Sequence, residues 1–584
     1  MSRFQIGPTD FELDGQPVRI ISGALHYFRV FPELWADRIE KVRLLGLNAI
    51  ETYIPWNAHS PSRGEFRTDG MLDLARFIDL VHAAGLYLII RPGPYICAEW
   101  NDGGLPRWLT NDPSVTLRRN EPNYLAAVTE YVEQVASIVA PRQIDHGGPV
   151  ILYQIENEYG AYADDHDYLR ALAQLTRDAG ITVPFITVDQ PTAQMLADGG
   201  IPEIHRTGSF GSAVPERLAT LREFQPSGPL MCSEYWIGWF DSWGEYHHET
   251  SAAAAAQGLD QLLSAGASVN IYMLHGGTNF GTTNGANDKG VYRSIITSYD
   301  YSAPLAEDGT PTDKFWAFRD VIGKYRELPE ASPAVRAPAP AFSVELTSQV
   351  DAFDVFGAIS TATVAERPLT LAQLGSTNAF TWYQTQVTRP GVLHAPELRD
   401  RAQLFLNGSA VALLDREQRA FAATISSTGR LDLLVEDLGG VNYGVRLGED
   451  KGLLPPVDID GVELTEWQTA PIDLSNLDPI RAALADGAPA GVTGGPLFAH
   501  AEFTVPGGGS RDLFLDSSNL GKGLIWVNGF CLGRHWTRGP QRTLFVPGPL
   551  VNDGVNELLI FETLALTSTE CRFVDAPDLG AVER

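Results

Sequence analysis

Only four of the 584 residues are cysteine (Cys97, Cys232, Cys531 and Cys571), and no two of them form a CxxC pair. That spacing excludes a disulfide framework and a zinc site, and leaves buried free thiols in a reducing cytoplasm as the expectation. Positive charge is also scarce. Lys and Arg number 43 against 72 Asp and Glu, a net charge of −29 that repels phosphate backbones and anionic lipid at long range. No nucleic acid and no membrane is therefore expected as a partner. No run approaches the ~20 apolar residues that span a bilayer. The start, MSRFQIGPTDFELDGQP, has no apolar stretch before a small-residue cleavage site, so it does not read as a secretory signal and a cytoplasmic chain is expected.

What is present is an ordinary globular composition, with 44% hydrophobic and 20% charged residues. At roughly 100 to 200 residues per domain the length suggests about three to five domains, or fewer if one is a large barrel. From Pro17 to Gly323, short β-branched runs alternate with segments of helical period. The runs cover 18–27, 48–56, 86–94, 150–158, 184–190, 204–210, 229–236 and 269–277, which makes eight. Between them Trp35, Ile39, Val42 and Leu45, then Met71, Leu74, Ile78 and Val81, then Tyr124, Val128, Tyr131, Val135 and Ile138 repeat every three or four residues. Each set predicts an amphipathic helix covering one barrel face. The fold class is α/β, a (β/α)8 TIM barrel, whose functional groups belong at the C-terminal ends of its strands.

Beyond Leu328 the pattern changes. The stretch PEASPAVRAPAPAF (329–342) holds four prolines, and short strand-like runs separated by Gly, Asn, Asp and Pro follow it. Two all-β sandwich domains are predicted. A weak internal repeat supports the pair: LFLNG (404–408) precedes LDLLVED (431–437) much as IWVNG (525–529) precedes ELLIFE (557–562). The expected division is a catalytic barrel at 1–330, a linker with unassigned strands at 331–375, one all-β domain at 376–480 and a second at 481–584.

The fourth run ends in Gln154-Ile155-Glu156-Asn157-Glu158, and strand alternation puts Gln154, Glu156 and Glu158 on one face if the chain runs straight. Alone, such a carboxylate is as readily a salt bridge to a loop. The seventh run ends in Ser233-Glu234-Tyr235-Trp236, again a glutamate among aromatics. Paired carboxylates beside aromatic platforms are what glycoside hydrolysis needs: one protonates the leaving oxygen, the other attacks the anomeric carbon or activates water. Burial and mutual repulsion can keep one neutral and one ionised near pH 7.

At this point a resemblance becomes specific. YIPWNAHSP (53–61), IIRPGPYICAEWNDGGLPRWL (89–109), GGPVILYQIENEYG (147–160), SEYWIGWFDSWG (233–244), MLHGGTNFG (273–281) and TSYDYSAPLAEDG (297–309) resemble the β-galactosidases of glycoside hydrolase family 35, bacterial type. GKGLIWVNGFCLGRHWTRGPQRTLFVP (521–547) is similar to that family's galactose-binding-like β-sandwich. The resemblance runs from about Ile21 to Phe561. It implies a retaining exo-β-galactosidase with Glu158 as acid/base and Glu234 as nucleophile. It further implies that Tyr53, Glu99, Asn157 and Tyr301 line the galactose subsite, with Tyr299 the competing choice for Tyr301. The family often reads WNxHEP, whereas this chain has Ser60 in place of that glutamate.

The residues themselves fit such roles. Asn157 can donate to the sugar 2-OH, Glu99 can accept from other hydroxyls, and Trp239 can stack on the apolar face of the ring. The alternative for Glu99 is a structural pair with Arg91 or Arg107. Trp236, Trp239 and Trp243 crowd the segment after Glu234, and with Tyr443 they suggest a narrow aromatic aglycone side. No metal or other cofactor is expected, since adjacent His247 and His248 point apart in regular structure and no HExxH spacing occurs. The Gly-rich run GGTNFGTTNG (276–285) lacks a Walker lysine and reads as a loop. The partners expected are a β-galactoside substrate and, as an oligomeric state, a second copy in a homodimer. The rival readings are a related β-glucosidase or exo-β-glucosaminidase on the same barrel, and a non-catalytic carbohydrate-binding protein.

Overall fold

The computed structural model of the protein describes residues 2–334 and 336–583. Eight parallel strands close a barrel: β1 (Ile21–Leu25), β2 (Ala49–Tyr53), β3 (Tyr87–Arg91), β4 (Val150–Gln154), β5 (Phe185–Asp189), β6 (His205–Ser209), β7 (Met231–Trp236) and β8 (Ser268–His275). Every neighbouring pair is parallel, and β8 returns to β1 through Val269 opposite Ile21. Seven of the eight predicted runs contain one of these strands, and the run at 269–277 covers all of β8 but Ser268.

The covering helices are α1 (Trp35–Leu45), α2 (Leu74–Ala83), α3 (Pro122–Val139), α4 (His166–Asp178), α5 (Ala193–Gly199), α6 (Val214–Phe224), α7 (Ala252–Ser264) and α8 (Asp313–Ile322). Their apolar stripes face the barrel. Trp35, Ile39, Val42 and Leu45 of α1 and Leu74, Ile78 and Val81 of α2 are all buried. Met71 lies instead in a 3-10 turn before α2, because Asp73 caps that helix by accepting from the Arg76 amide. The opposite mouth of the barrel is covered by a three-stranded N-terminal sheet (4–6, 11–13 and 16–18), whose Phe4 and Phe11 share a cluster with Ile20, Ala49, Ile89, Ile151 and Met231 of the barrel. Only the C-terminal mouth is left for a site.

Two all-β modules follow. In the first, strand 401–406 turns at Asn407-Gly408 into 409–415 and pairs with 429–436; in the second, 522–527 turns at Asn528-Gly529 into 530–536 and pairs with 556–562. Both Asn-Gly pairs have positive φ at both residues, the geometry a two-residue hairpin demands. The internal repeat is thus a repeated three-strand unit. The strands between the linker and the first module divide unevenly. Residues 342–345 pair with 570–574 and 348–351 with 497–503 in the last sandwich, whereas 363–365 pair with 467–469 in the first.

One further sheet matters for function. The chain leaving β8 makes a hairpin of Ala286–Asp288 with Tyr292–Ser294, and its first strand adds to Val441–Gly444 of the first all-β module. This joint brings a sandwich domain to the barrel mouth. Buried ion pairs hold it: Arg107 bridges Asp102 and Asp437, and Arg416 reaches both Asp400 and Asp288.

Candidate active site

The chain does not run straight past β4. Glu156 and Glu158 both have left-handed backbones, at φ 60° and 44°, a conformation costing a non-glycine residue about 1–3 kcal/mol. The expected common face is therefore broken. Glu156 turns under the neighbouring loop, where Arg118 grips both its oxygens at 3.0 and 2.8 Å and Tyr168 donates to it at 3.0 Å. Glu158, tied to β5 by its amide on the Val188 carbonyl, turns into a pocket at the C-terminal mouth, and so does its neighbour Asn157. Two adjacent residues reach one pocket because the backbone reverses hand between them.

That pocket also holds Tyr53, Glu99, Glu234, Trp236, Trp239 and Tyr301, so all eight sequence-predicted site residues meet there. Glu234 is 5% exposed. Its Oε1 accepts from Arg91 Nη2 at 2.5 Å and from Tyr53 Oη at 2.7 Å, and its Oε2 accepts from Trp236 Nε1 at 3.0 Å. The carboxylate plane is thereby fixed from both edges. Asn157 Oδ1 is crowded by the same donors, Arg91 at 2.7 Å and Tyr53 at 3.0 Å, with Gln154 at 3.1 Å. Its amide nitrogen makes only a 3.5 Å contact with the Ile96 carbonyl, which leaves that donor for a ligand.

Glu158 sits in a different environment. It accepts from Ser209 Oγ at 3.1 Å, with Gln190 alongside. Burial, reinforced by the Glu234 charge, pushes its carboxyl up to about 7. One carboxyl of the pocket is thus set to carry a proton near neutrality, while the other is surrounded by donors.

Glu99 rides on a turn of left-handed backbone, with Cys97, Ala98 and Glu99 at φ 56°, 53° and 50°. Arg29 Nη2 on the Ala98 carbonyl (2.5 Å) and the Gly285 amide on the Glu99 carbonyl (2.8 Å) hold this turn in place. Its carboxyl accepts from Tyr299 Oη at 2.5 Å, and burial pushes it up to about 6. Neither arginine suggested for it pairs with it: Arg91 serves Glu234, and Arg107 serves Asp102 and Asp437. Tyr301 lines the pocket while Tyr299 stands behind Glu99. Both come close because Gly238 and Gly276 have no side chain; a Cβ there would lie 1.7 and 1.5 Å from the carbonyl oxygens of Tyr301 and Tyr299.

The mouth of the pocket is aromatic on one side and comes from the hairpin and sandwich on the other. Trp239, 37% exposed, stacks on Phe240 at 4.9 Å between ring centres. Opposite stand Asn287, Lys289 and Tyr443, with the Lys289 ammonium 5.0 Å from the Tyr443 ring centre. Trp243 is elsewhere. It is 1% exposed and packs on Trp536 in the joint between domains. Ser60 also lies outside the pocket, its carbonyl accepting from Trp108. His247 and His248 do not point apart: in this irregular segment their Nδ1 atoms converge on the two oxygens of Asp241, at 2.7 and 2.9 Å.

Sequence reasoning named Arg91 only as a possible partner of Glu99 and passed over Gln190, Ser209, the pocket-lining Tyr272 and Lys289. Arg91, Gln190 and Ser209 end or follow strand runs, so the strand-end rule pointed to them; Lys289 carried no signal, since it depends on pairing with residues 441–444.

A (β/α)8 barrel with two glutamates facing one pocket at its strand ends is the framework of a glycoside hydrolase. Comparison with known proteins agrees. The profile of glycosyl hydrolases family 35 matches residues 10–325, that of the first all-beta domain of beta-galactosidase residues 368–473, and that of the beta-galactosidase galactose-binding domain residues 496–556. The chain is 39% identical to the beta-galactosidase-1-like protein of Mus musculus over 98% of its own length and 91% of that protein's. It is 39% identical to the beta-galactosidase of Felis catus (96% and 88% covered) and 36% to that of Xanthomonas manihotis (92% and 90%). The chain belongs to glycosyl hydrolases family 35. Among the described residues no helix is long and apolar enough to cross a membrane.

Proposed function

We propose that the chain is a retaining exo-β-galactosidase that removes terminal β-D-galactosyl residues by double displacement, with Glu234 as nucleophile and Glu158 as acid/base. The observation that carries this reading is the contrast between the two carboxyls: Glu234 accepts from Arg91, Tyr53 and Trp236, while Glu158 is buried and raised to about 7. In the first step Glu234 attacks C1, the bond from C1 to the leaving oxygen breaks, and Glu158 gives that oxygen its proton. In the second, Glu158 takes a proton from water, the water oxygen attacks C1, and Glu234 departs as carboxylate. The configuration is inverted twice and so retained.

Asn157 offers its free amide donor to the 2-OH, whose hydrogen bonds strengthen in the transition state. Glu99, with Tyr299 behind it, accepts from ring hydroxyls, and an epimer that leaves this buried acceptor unpaired is rejected. Tyr53 and Tyr301 complete the galactose subsite, and Trp239, exposed at the mouth, stacks on the aglycone side. The wall formed by residues 286–289 and 441–444 closes the mouth and favours attack at a chain end. Four free cysteines, Cys97, Cys232, Cys531 and Cys571, support a reducing, cytoplasmic setting. Proton NMR of the first-formed sugar from a β-galactoside tests the reading: β-galactose is expected first, and α-galactose would remove Glu234 from the nucleophile's role. A panel of nitrophenyl glycosides tests the sugar, with the galactoside expected to exceed the glucoside and glucosaminide in kcat/KM.

A further inference from the structure

Beneath the pocket, inside the barrel, lies a carboxylate that the mechanism above does not use. Glu51 of β2 is 1% exposed. Its Oε2 accepts from Asn270 of β8 at 3.0 Å, and its Oε1 stands 3.6 Å from Arg91 Nη1. Neither of those last two atoms, nor Arg91 Nε, has a hydrogen-bond partner among the described residues. Arg91 meanwhile gives its other nitrogen, Nη2, to Glu234 and Asn157. One guanidinium therefore lies between two carboxylates, hydrogen-bonded to one and only charge-paired to the other. Tyr53 lies on the same strand as Glu51, its ring 4.1 Å from the Arg91 guanidinium carbon, and His26 from the end of β1 tilts against that ring. Burial pushes the Glu51 carboxyl up to about 7, and the Arg91 charge opposes that rise.

Resting on the roles proposed for Glu234 and Glu158, we infer that Glu51 is a positioning residue that competes with Glu234 for Arg91 and becomes the guanidinium's sole close carboxylate partner when Glu234 is esterified. The reaction moves the negative charge from Glu234 to Glu158, and among the described residues the Arg91 ion pairs within 4 Å are with Glu234 and Glu51, so the shift favours such a partner. When Glu234 bonds to C1 it becomes a neutral ester, and the proton of Glu158 leaves on the aglycone oxygen. Arg91 then keeps its charge but loses its nearest anion, in a region where a buried unpaired cation is costly. Glu51 stays in place. Before the reaction the same carboxylate draws part of the Arg91 charge away from Glu234, so the nucleophile is less stabilised and attacks more readily. Glu51 thus lowers the barrier to forming the ester and raises the barrier to its breakdown.

A structural role would slow both half-reactions or neither, whereas this one splits them. The test uses the whole enzyme with an activated 2-deoxy-2-fluoro-β-galactoside, following inactivation for ester formation and recovery of activity after desalting for its hydrolysis. Glu51→Gln should inactivate roughly tenfold more slowly and recover roughly tenfold faster than the native enzyme, the scale of about 1.4 kcal/mol of charge pairing at each step. Glu51→Asp, which keeps the charge but draws it back, should fall between them in both rates and covers the case in which the glutamine variant does not fold. Both rates slowed together, or both unchanged, would overturn the inference. Mass spectrometry of the inactivated native enzyme separates this from the underlying assignment: a fluorosugar on a residue other than Glu234 refutes the assignment itself.

Discussion

Trp236 donates its indole N–H to Glu234 Oε2 at 3.0 Å, from two residues further along the same strand. Residues i and i+2 of a strand share a face, so the spacing alone brings the ring to the carboxylate. This contact moves Trp236 from a wall for the aglycone to a partner of the reacting group. Trp236→Phe keeps most of the ring but removes the donor that fixes the orientation of Oε2, and lost positioning on the scale of about 1.5–3 kcal/mol is roughly 10- to 150-fold. The loss should appear in kcat/KM for disaccharides and activated aryl galactosides alike. A loss confined to disaccharides would return Trp236 to the aglycone side.

Trp239 and Tyr443 also line the pocket, one from the loop after β7 and one from the sandwich domain, and they are the aromatics proposed to face the aglycone. Stacking of this kind contributes about 0.5–1.5 kcal/mol beyond burial. Trp239→Ala and Tyr443→Ala should each lower kcat/KM on disaccharides roughly three- to tenfold more than on an aryl galactoside with a small leaving group. Steady-state kinetics on the two substrate types decides it, and equal losses would mean that the rings only support the pocket.

Trp243 makes the contrast. Buried against Trp536, with Ala286, Tyr292 and Val441 around it, it braces the joint that carries Tyr443. Trp243→Ala should cost about 3–5 kcal/mol of stability, as large buried aromatics do. Thermal unfolding should show a marked drop in Tm while the folded fraction keeps its preference among substrates.

The raised Glu158 carboxyl sets the pH behaviour. With Glu158 as the proposed acid, its protonated form serves the first step, so kcat/KM should fall as pH rises through about 7. Stability follows the same proton. The folded chain holds it up to about 7 while the unfolded chain releases it near the ordinary value of 4.5, so this group's contribution to stability declines as pH rises across that interval. Glu158→Gln does not titrate, and it should therefore gain on the order of 2–3 kcal/mol over the native protein at pH 8 but little at pH 4.5. Paired melts at the two pH values check this, and an equal gain at both would place the effect in packing rather than in the charge.

The barrel was legible because each strand is a compact β-branched run and each covering helix repeats its apolar face every three or four residues. The pocket residues were legible where long motifs carried them, as with Asn157, Glu158 and Glu234. What period-two reasoning missed is Glu156, since the left-handed backbone at 156 and 158 sends neighbours where a straight strand would not. Met71 was misplaced for a similar local reason, the cap at Asp73. Residues 342–351 could not be assigned because their strand partners, at 497–503 and 570–574, lie some 150 to 230 positions away. Lys289 and the ion pairs of Arg91 belong to the same kind of knowledge: they are relations between segments, and no single segment records them.

The central claim is that Glu158 and Glu234 have unequal roles, and azide rescue of the two alanine variants tests it most directly. With Glu158→Ala an activated aryl galactoside, needing little protonation, should still form the ester, and azide should speed turnover by attacking it, giving β-galactosyl azide after two inversions. With Glu234→Ala no ester can form; every substrate should lose several orders of magnitude, on the scale of about 10⁴- to 10⁶-fold for a residue acting within a catalytic unit, and any rescue should give α-galactosyl azide by single displacement. Product configuration read by NMR is the measurement: β from the Glu158 variant and α from the Glu234 variant is the predicted result, and the reverse pairing, or full activity in either variant, would contradict it.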